Sequence, residues 1–78
     1  MSLESDVITA VMDSRKPEYK SDNVTLSTVL DFNNKHDVDA LKNEVSRRCN
    51  VNHYSPPQSY EGITTVNDLL TLVRSQVN

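Results

Sequence analysis

The spacing of the apolar residues constrains this chain of 78 residues more than any other feature. In three separate segments the apolar residues recur at the spacing of an amphipathic α-helix, three or four positions apart. Nowhere do apolar and polar residues alternate for long enough to predict a β-strand. The sequence therefore predicts one small all-α domain covering residues 1–78.

The first predicted helix covers about residues 3–15. Its apolar stripe consists of Leu3, Val7, Ile8 and Val11. Ser2 stands where a capping side chain is needed, and Pro17 prevents the helix from continuing. Arg15 and Lys16 are expected in its last turn, where positive charge is favourable.

A long connection, residues 17–36, follows the first helix. A short helical turn is predicted at about residues 26–32, and Phe32 is predicted to fill the core. A second helix is predicted from Val38 to about Cys49. Asp37 is its expected N-cap and Asn50 its left-handed stop.

The third helical segment begins after the motif Thr65–Asp68, which has the spacing of a capping box. Its apolar stripe consists of Val66, Leu69, Leu70, Val73 and Val77. Between the second and third helices lie two prolines and the only glycine, which break regular structure. One short helical turn is predicted there, between Pro57 and Glu61.

Composition and charge exclude several classes of function. The net charge of −3 argues against a nucleic-acid binder, which is normally basic along one face. No apolar run approaches the roughly 20 residues that span a bilayer, and the segment MSLESDVITA lacks the plan of a signal peptide. The single cysteine, Cys49, permits no internal disulfide, so we expect a reduced, cytoplasmic setting.

The order of these elements resembles that of the acyl carrier proteins, small four-helix bundles that carry acyl groups on a phosphopantetheine arm. The segment EGITTVNDLLTLV is similar to the last helix of that family, and LKNEVSRRCNV is similar to the second half of its second helix. LDFNN lies where the family approaches its modified serine. The resemblance covers nearly the whole chain and implies an acyl-carrier-protein-like four-helix bundle with a long loop after the first helix.

The chain departs from this family at the attachment site. The resemblance implies a serine at the start of the second helix, but the family position falls on Lys35 or Val38, neither of which can form a phosphodiester. We therefore expect no cofactor. The alternative is a functional acyl or peptidyl carrier in which a differently aligned serine holds 4′-phosphopantetheine. The serines that need consideration are Ser14, Ser27, Ser46, Ser55 and Ser59.

The second helix also departs from the acidic surface typical of carrier proteins, because Lys35, Lys42, Arg47 and Arg48 introduce positive charge there. The preferred interpretation is a protein-interaction module without the arm, in or near fatty-acid, polyketide or peptide biosynthesis. The residues expected to bind the partner are Lys35, His36, Asp37, Asp39, Lys42 and Arg47. An unrelated structural or regulatory helical module is a further alternative.

The sequence gives less support to metal binding or to cysteine catalysis. The acidic residues around His36 lack the spacing and turn glycine of a calcium loop, so no metal site is expected. Cys49 with His53 or His36 has the residue types of a nucleophile and base, but a small buried cysteine explains Cys49 as well. The sequence therefore predicts that the chain is not an enzyme.

Overall fold

The computed structural model describes residues 2–52 and 59–77. Within these ranges the chain forms three α-helices, α1 (Leu3–Ser14), α2 (Val38–Cys49) and α3 (Val66–Gln76), and one 3₁₀ turn, Pro17–Tyr19. The prediction of a small all-α fold is confirmed. None of the helices in the described ranges has the length and apolar composition needed to cross a bilayer.

The helices begin where the sequence supplies a capping side chain. The Ser2 hydroxyl accepts a hydrogen bond from the amide of Ser5 at 3.1 Å, and the Asp37 carboxylate accepts one from the amide of Asp39 at 2.9 Å. These bonds satisfy amides that a first helical turn otherwise leaves free. At the other end of α2, Asn50 has the left-handed conformation, with φ 55°. The predicted bounds of α2 are therefore confirmed.

The C-terminal end of α1 differs from the prediction. The helix ends at Ser14, and Arg15 already has extended backbone, with ψ 151°. Lys16 is extended as well, which is the conformation favoured for a residue before proline. The Arg15 side chain therefore lies in the interior instead of in the last turn of a helix.

The core lies between the three helices, and α1 packs against both α2 and α3. Each helix contributes a row of buried apolar side chains, and Leu30 and Tyr60 add to them from the connections. The buried apolar residues are Val7, Ala10, Val11, Leu30, Leu41, Val45, Cys49, Tyr60, Val66, Leu69, Leu70 and Val73. Phe32, which was predicted to fill the core, is half-buried and packs against its edge.

The predicted helical turn at residues 26–32 is wrong. This segment instead pairs with the chain that leads into α3, through bonds from Leu30 N–H to the Thr64 carbonyl (2.9 Å) and from Val66 N–H to the Thr28 carbonyl (3.1 Å). At the start of the segment the Thr28 amide donates to the Thr25 carbonyl at 3.1 Å, but this single turn does not continue as a helix because the next residues bond to the distant segment.

A four-helix bundle is not supported within the described residues. Outside α1, α2 and α3 the only helical segment they contain is the 3₁₀ turn, which is too short to present a face to the core. Of the turn predicted between Pro57 and Glu61, Pro57 and Gln58 lie outside the described residues, and residues 59–61 contain no helix.

Candidate functional site at the entrance to α2

The segment that leads into α2 is a closed turn formed by residues 31–36. The carbonyl of Asp31 accepts hydrogen bonds from the amides of Lys35 and His36, both at 2.9 Å. Its carboxylate accepts from the amides of Asn33 and Asn34, and also from the Asn34 side chain, each at 3.1 Å. These bonds, the Asn34 side chain first among them, lower the pKa of the Asp31 carboxyl. The turn thus has its own internal framework.

A second set of contacts fastens this turn to the end of α1. The amide of Lys16 donates to the carbonyl of Lys35 at 3.1 Å, and Arg15 and His36 form an isolated antiparallel bridge. Beside the bridge, the Arg15 Nε donates to the His36 Nε2 at 3.1 Å. We call this pair the Arg15–His36 clasp. Both side chains are interior, with Arg15 3% exposed and His36 1% exposed.

The clasp requires a neutral histidine. Burial, followed by the positive charge of Arg15, lowers the pKa of His36 below its ordinary value. Because Nε2 accepts from Arg15, the ring proton is on Nδ1. The Phe32 ring meets the imidazole edge-on, with the ring centroids 6.1 Å apart.

Arg15 has one acidic neighbour. Its Nη1 lies 3.5 Å from the Asp22 carboxylate, whose side chain is 44% exposed. The same carboxylate lies 3.9 Å from the Lys35 Nζ. One partly exposed carboxylate therefore lies near two cations, and solvent weakens its attraction to Arg15.

The six residues expected to bind a partner do not share one environment. His36 is in the interior, so in this conformation a partner cannot reach it, and the expectation for this residue is corrected. The reason is position: His36 directly precedes the cap, where a side chain folds back toward the first helical turn. Lys35 is half-buried, with its Nζ 5.6 Å from the centre of the Tyr19 ring.

The remaining four of the expected residues lie at the surface of α2 or its cap. Asp37 and Asp39 are exposed, and the Asp37 carboxylate caps the helix. Lys42 is half-buried and lies over the Tyr60 ring, 5.3 Å from its centre. The Arg47 side chain is 63% exposed and donates to Glu44 at 2.7 Å.

Of the serines considered for phosphopantetheine, the four that the structure describes lie outside residues 31–38. Ser14 is buried and donates to the Val11 carbonyl at 2.9 Å. Ser27 is exposed in the connection, Ser46 lies within α2, and Ser59 is exposed beyond it. Ser55 lies outside the described residues. At the entrance itself the helix begins with Asp37 and Val38, as predicted.

The described residues were also compared with the requirements of a metal site and of a reactive cysteine. In the part of the chain that the structure describes, no three potential metal-ligating side chains come together. Cys49 is buried, and its burial raises the pKa of the thiol, which disfavours the reactive thiolate. Its pairing with His53 falls outside the described residues.

The clasp is the feature that the sequence analysis missed. Helical periodicity gives no information about Arg15 and His36, because both lie outside the helices and 21 positions apart. One local signal existed: His36 precedes the cap and Leu41 is the fourth residue of α2, the two positions that form a hydrophobic staple. Both side chains are fully buried. That pattern indicates burial of His36, although it does not reveal Arg15.

Comparisons of the chain with family models, with characterised proteins and with solved structures found no match. The resemblance to acyl carrier proteins therefore depends on the sequence motifs alone.

Proposed function

We propose that this domain is a protein-interaction module, similar in plan to an acyl carrier protein but without its phosphopantetheine arm. The partner binds a surface at the start of α2 that we call the docking face. It consists of Lys35, Asp37, Asp39, Lys42 and Arg47. The four-helix arrangement and the link to fatty-acid, polyketide or peptide biosynthesis are parts of this proposal that rest on the sequence resemblance.

The observation that carries the proposal is the hydrogen-bonded framework at the entrance to α2. Residues 31–36 are closed by their own hydrogen bonds and fastened to α1 by the Lys16 amide and the clasp. A surface that is already ordered loses little conformational entropy when it binds. The framework therefore suits recognition, while the positions next to the Asp37 cap present no hydroxyl for attachment of an arm.

Charge indicates the chemistry of the partner. Asp39, Asn43 and Arg47 follow one another at four-residue spacing on the exposed side of α2, and Lys42 lies beside them. Lys42 and Arg47 lie further along α2 than the acidic residues at its start. We expect a protein surface with carboxylates opposite Lys42 and Arg47, since complementary charge accelerates and orients association.

The test is partner binding by the intact chain and by two sets of charge reversals. Immobilised wild-type protein is exposed to an extract of the cells that make it, and bound proteins are quantified. We expect Lys42→Glu with Arg47→Glu to lose the bound partner, whereas Arg74→Glu retains it. Arg74 is a matched control because it is exposed on α3, a helix that contacts α1. Equal capture by all three proteins would contradict the docking face.

A second measurement separates this function from that of a working carrier. The chain is incubated with coenzyme A and a promiscuous phosphopantetheinyl transferase, next to a carrier protein as positive control, and intact masses are compared. We expect an unchanged mass. A gain of one phosphopantetheine would establish a carrier and would identify its serine by peptide mapping.

A further inference from the structure

We propose that the Arg15–His36 clasp is an acid-sensitive latch: protonation of His36 detaches residues 31–36 from the end of α1 while the three helices remain folded. Its consequence for partner binding rests on the proposed function, because the docking face is attached to this turn. The latch itself is a property of the isolated chain and is tested without a partner.

The geometry makes the clasp incompatible with a charged imidazole. Arg15 Nε donates to His36 Nε2, so the bond needs the lone pair on that nitrogen. A proton on Nε2 removes this acceptor and places two donors, both positively charged, 3.1 Å apart. Because the side chains are 3% and 1% exposed, water cannot separate or solvate the two charges unless the contact opens.

The surrounding groups offset the new charge only in part, because the main chain and carboxylate of Asp31 favour a charged imidazole whereas Arg15 and Lys35 disfavour it. Asp22 is close to Arg15 but also serves Lys35, and Lys35 adds a third cation beside the clasp. Asp31 is the acidic group on the turn itself, and its carboxylate is already occupied by the amides of Asn33 and Asn34. Phe32, which packs on the imidazole, contributes an apolar ring. Opening to solvent is therefore the favourable response to protonation.

The structure also shows how opening can remain local. We call the contact between residues 31–36 and the end of α1 the join. Across it, the described main chain makes one hydrogen bond, from Lys16 N–H to the Lys35 carbonyl at 3.1 Å. The bonds within the turn run back to Asp31, and the cap of α2 is formed by Asp37, so neither set depends on the clasp. Separation of the turn from α1 thus breaks few bonds.

Amide hydrogen exchange, measured by NMR on the full chain, tests the latch. The Lys16 amide reports opening of the join, and the Leu69 amide, bonded to the Thr65 carbonyl at 3.2 Å, reports α3. Uptake of one proton by the open form, with an ordinary histidine pKa of 6.5, predicts about tenfold lower protection of Lys16 at about pH 5.5 than at about pH 7.5. Leu69 should remain the better protected amide at both values.

Two histidine variants identify the group responsible. His36→Gln keeps an acceptor for Arg15 but cannot be charged, so the pH dependence of Lys16 protection should disappear. His53→Gln removes the other histidine of the chain and should leave the pH dependence as in the wild type. If His36→Gln does not fold, Arg15→Gln replaces it: without the neighbouring cation the closed form tolerates the proton better, so the loss of protection should be smaller.

Three results would overturn the latch. The first is Lys16 protection that does not change with pH. The second is a pH dependence that persists unchanged in the variant used to remove it. The third is identical protection of Lys16 and Leu69 at each pH, because this would mean that the whole domain opens together.

Discussion

The chain segments that lead into α2 and α3 are held in place by different kinds of contact. At α3 the Thr65 hydroxyl accepts from the Asp68 amide at 3.3 Å, and the Asp68 carboxylate accepts from the amides of Thr64 and Thr65 at 3.1 Å. This capping box is made by neighbours in the sequence. At α2 the Asp37 cap is equally local, but the turn before it is fastened by the Arg15–His36 clasp.

The two entrances differ in the charge state that their ionisable group must have. The capping box needs Asp68 charged, and its bonds to Thr64 and Thr65 lower the pKa of the carboxyl, so the charge persists into acid. The clasp needs His36 neutral, a condition that mild acid opposes. We therefore expect the entrance to α3 to be insensitive to pH near neutrality and the entrance to α2 to be sensitive, although both precede a helix of similar length.

Replacement of His36 by alanine should have the largest effect on stability. The substitution leaves a cavity and removes the acceptor of a buried arginine, so we expect the free energy of unfolding to fall by about 3 kcal/mol. Urea unfolding at neutral pH measures it. His36→Gln, which retains an acceptor, is the matched control and should lose less. A loss below about 1 kcal/mol for His36→Ala would mean that the clasp contributes little to the fold.

Acidification should destabilise the entrance to α2 at a higher pH than the entrance to α3. His36 has a lowered folded pKa, so its contribution is complete above the unfolded value of 6.5 and is lost as the pH falls below it. The loss is at most about 1.4 kcal/mol per pH unit. Asp68 has a folded pKa below 3.8, so its contribution is complete above that value and is lost only as the pH falls through the folded pKa.

NMR titration of backbone amides checks this order. Lys16 should respond first, near the histidine range, and Thr64 and Thr65 only under much stronger acid. Simultaneous responses at the two entrances would remove the distinction between them.

Replacement of Thr65 by alanine should have the smallest effect of the three. It removes the bond to the Asp68 amide, and loss of a threonine cap typically costs about 1 kcal/mol. The measurement is again urea unfolding, and the cost should be the same at about pH 7.5 and about pH 5.5 because no group that titrates in that range takes part. A cost that changed between these two values would indicate coupling between the entrances.

Much of the local structure could be predicted from the sequence. The start of every helix follows from a capping residue next to an apolar stripe, as with Asp37 before Val38, and the end of α2 follows from Asn50. These features depend on hydrogen bonds and packing between residues within about four positions of one another. The proposed docking face consists of residues named from the sequence, and the structure adds that His36, which was expected among them, is buried.

The sequence by itself thus determined where α1, α2 and α3 begin and that the described fold is all-α. The tertiary structure alone decided that Arg15 leaves its helix to meet His36, and that residues 26–30 pair with the chain before α3 instead of forming a helix. The physical reason is that these groups are satisfied by partners far away in the sequence, and only the packed chain brings such partners within hydrogen-bond distance.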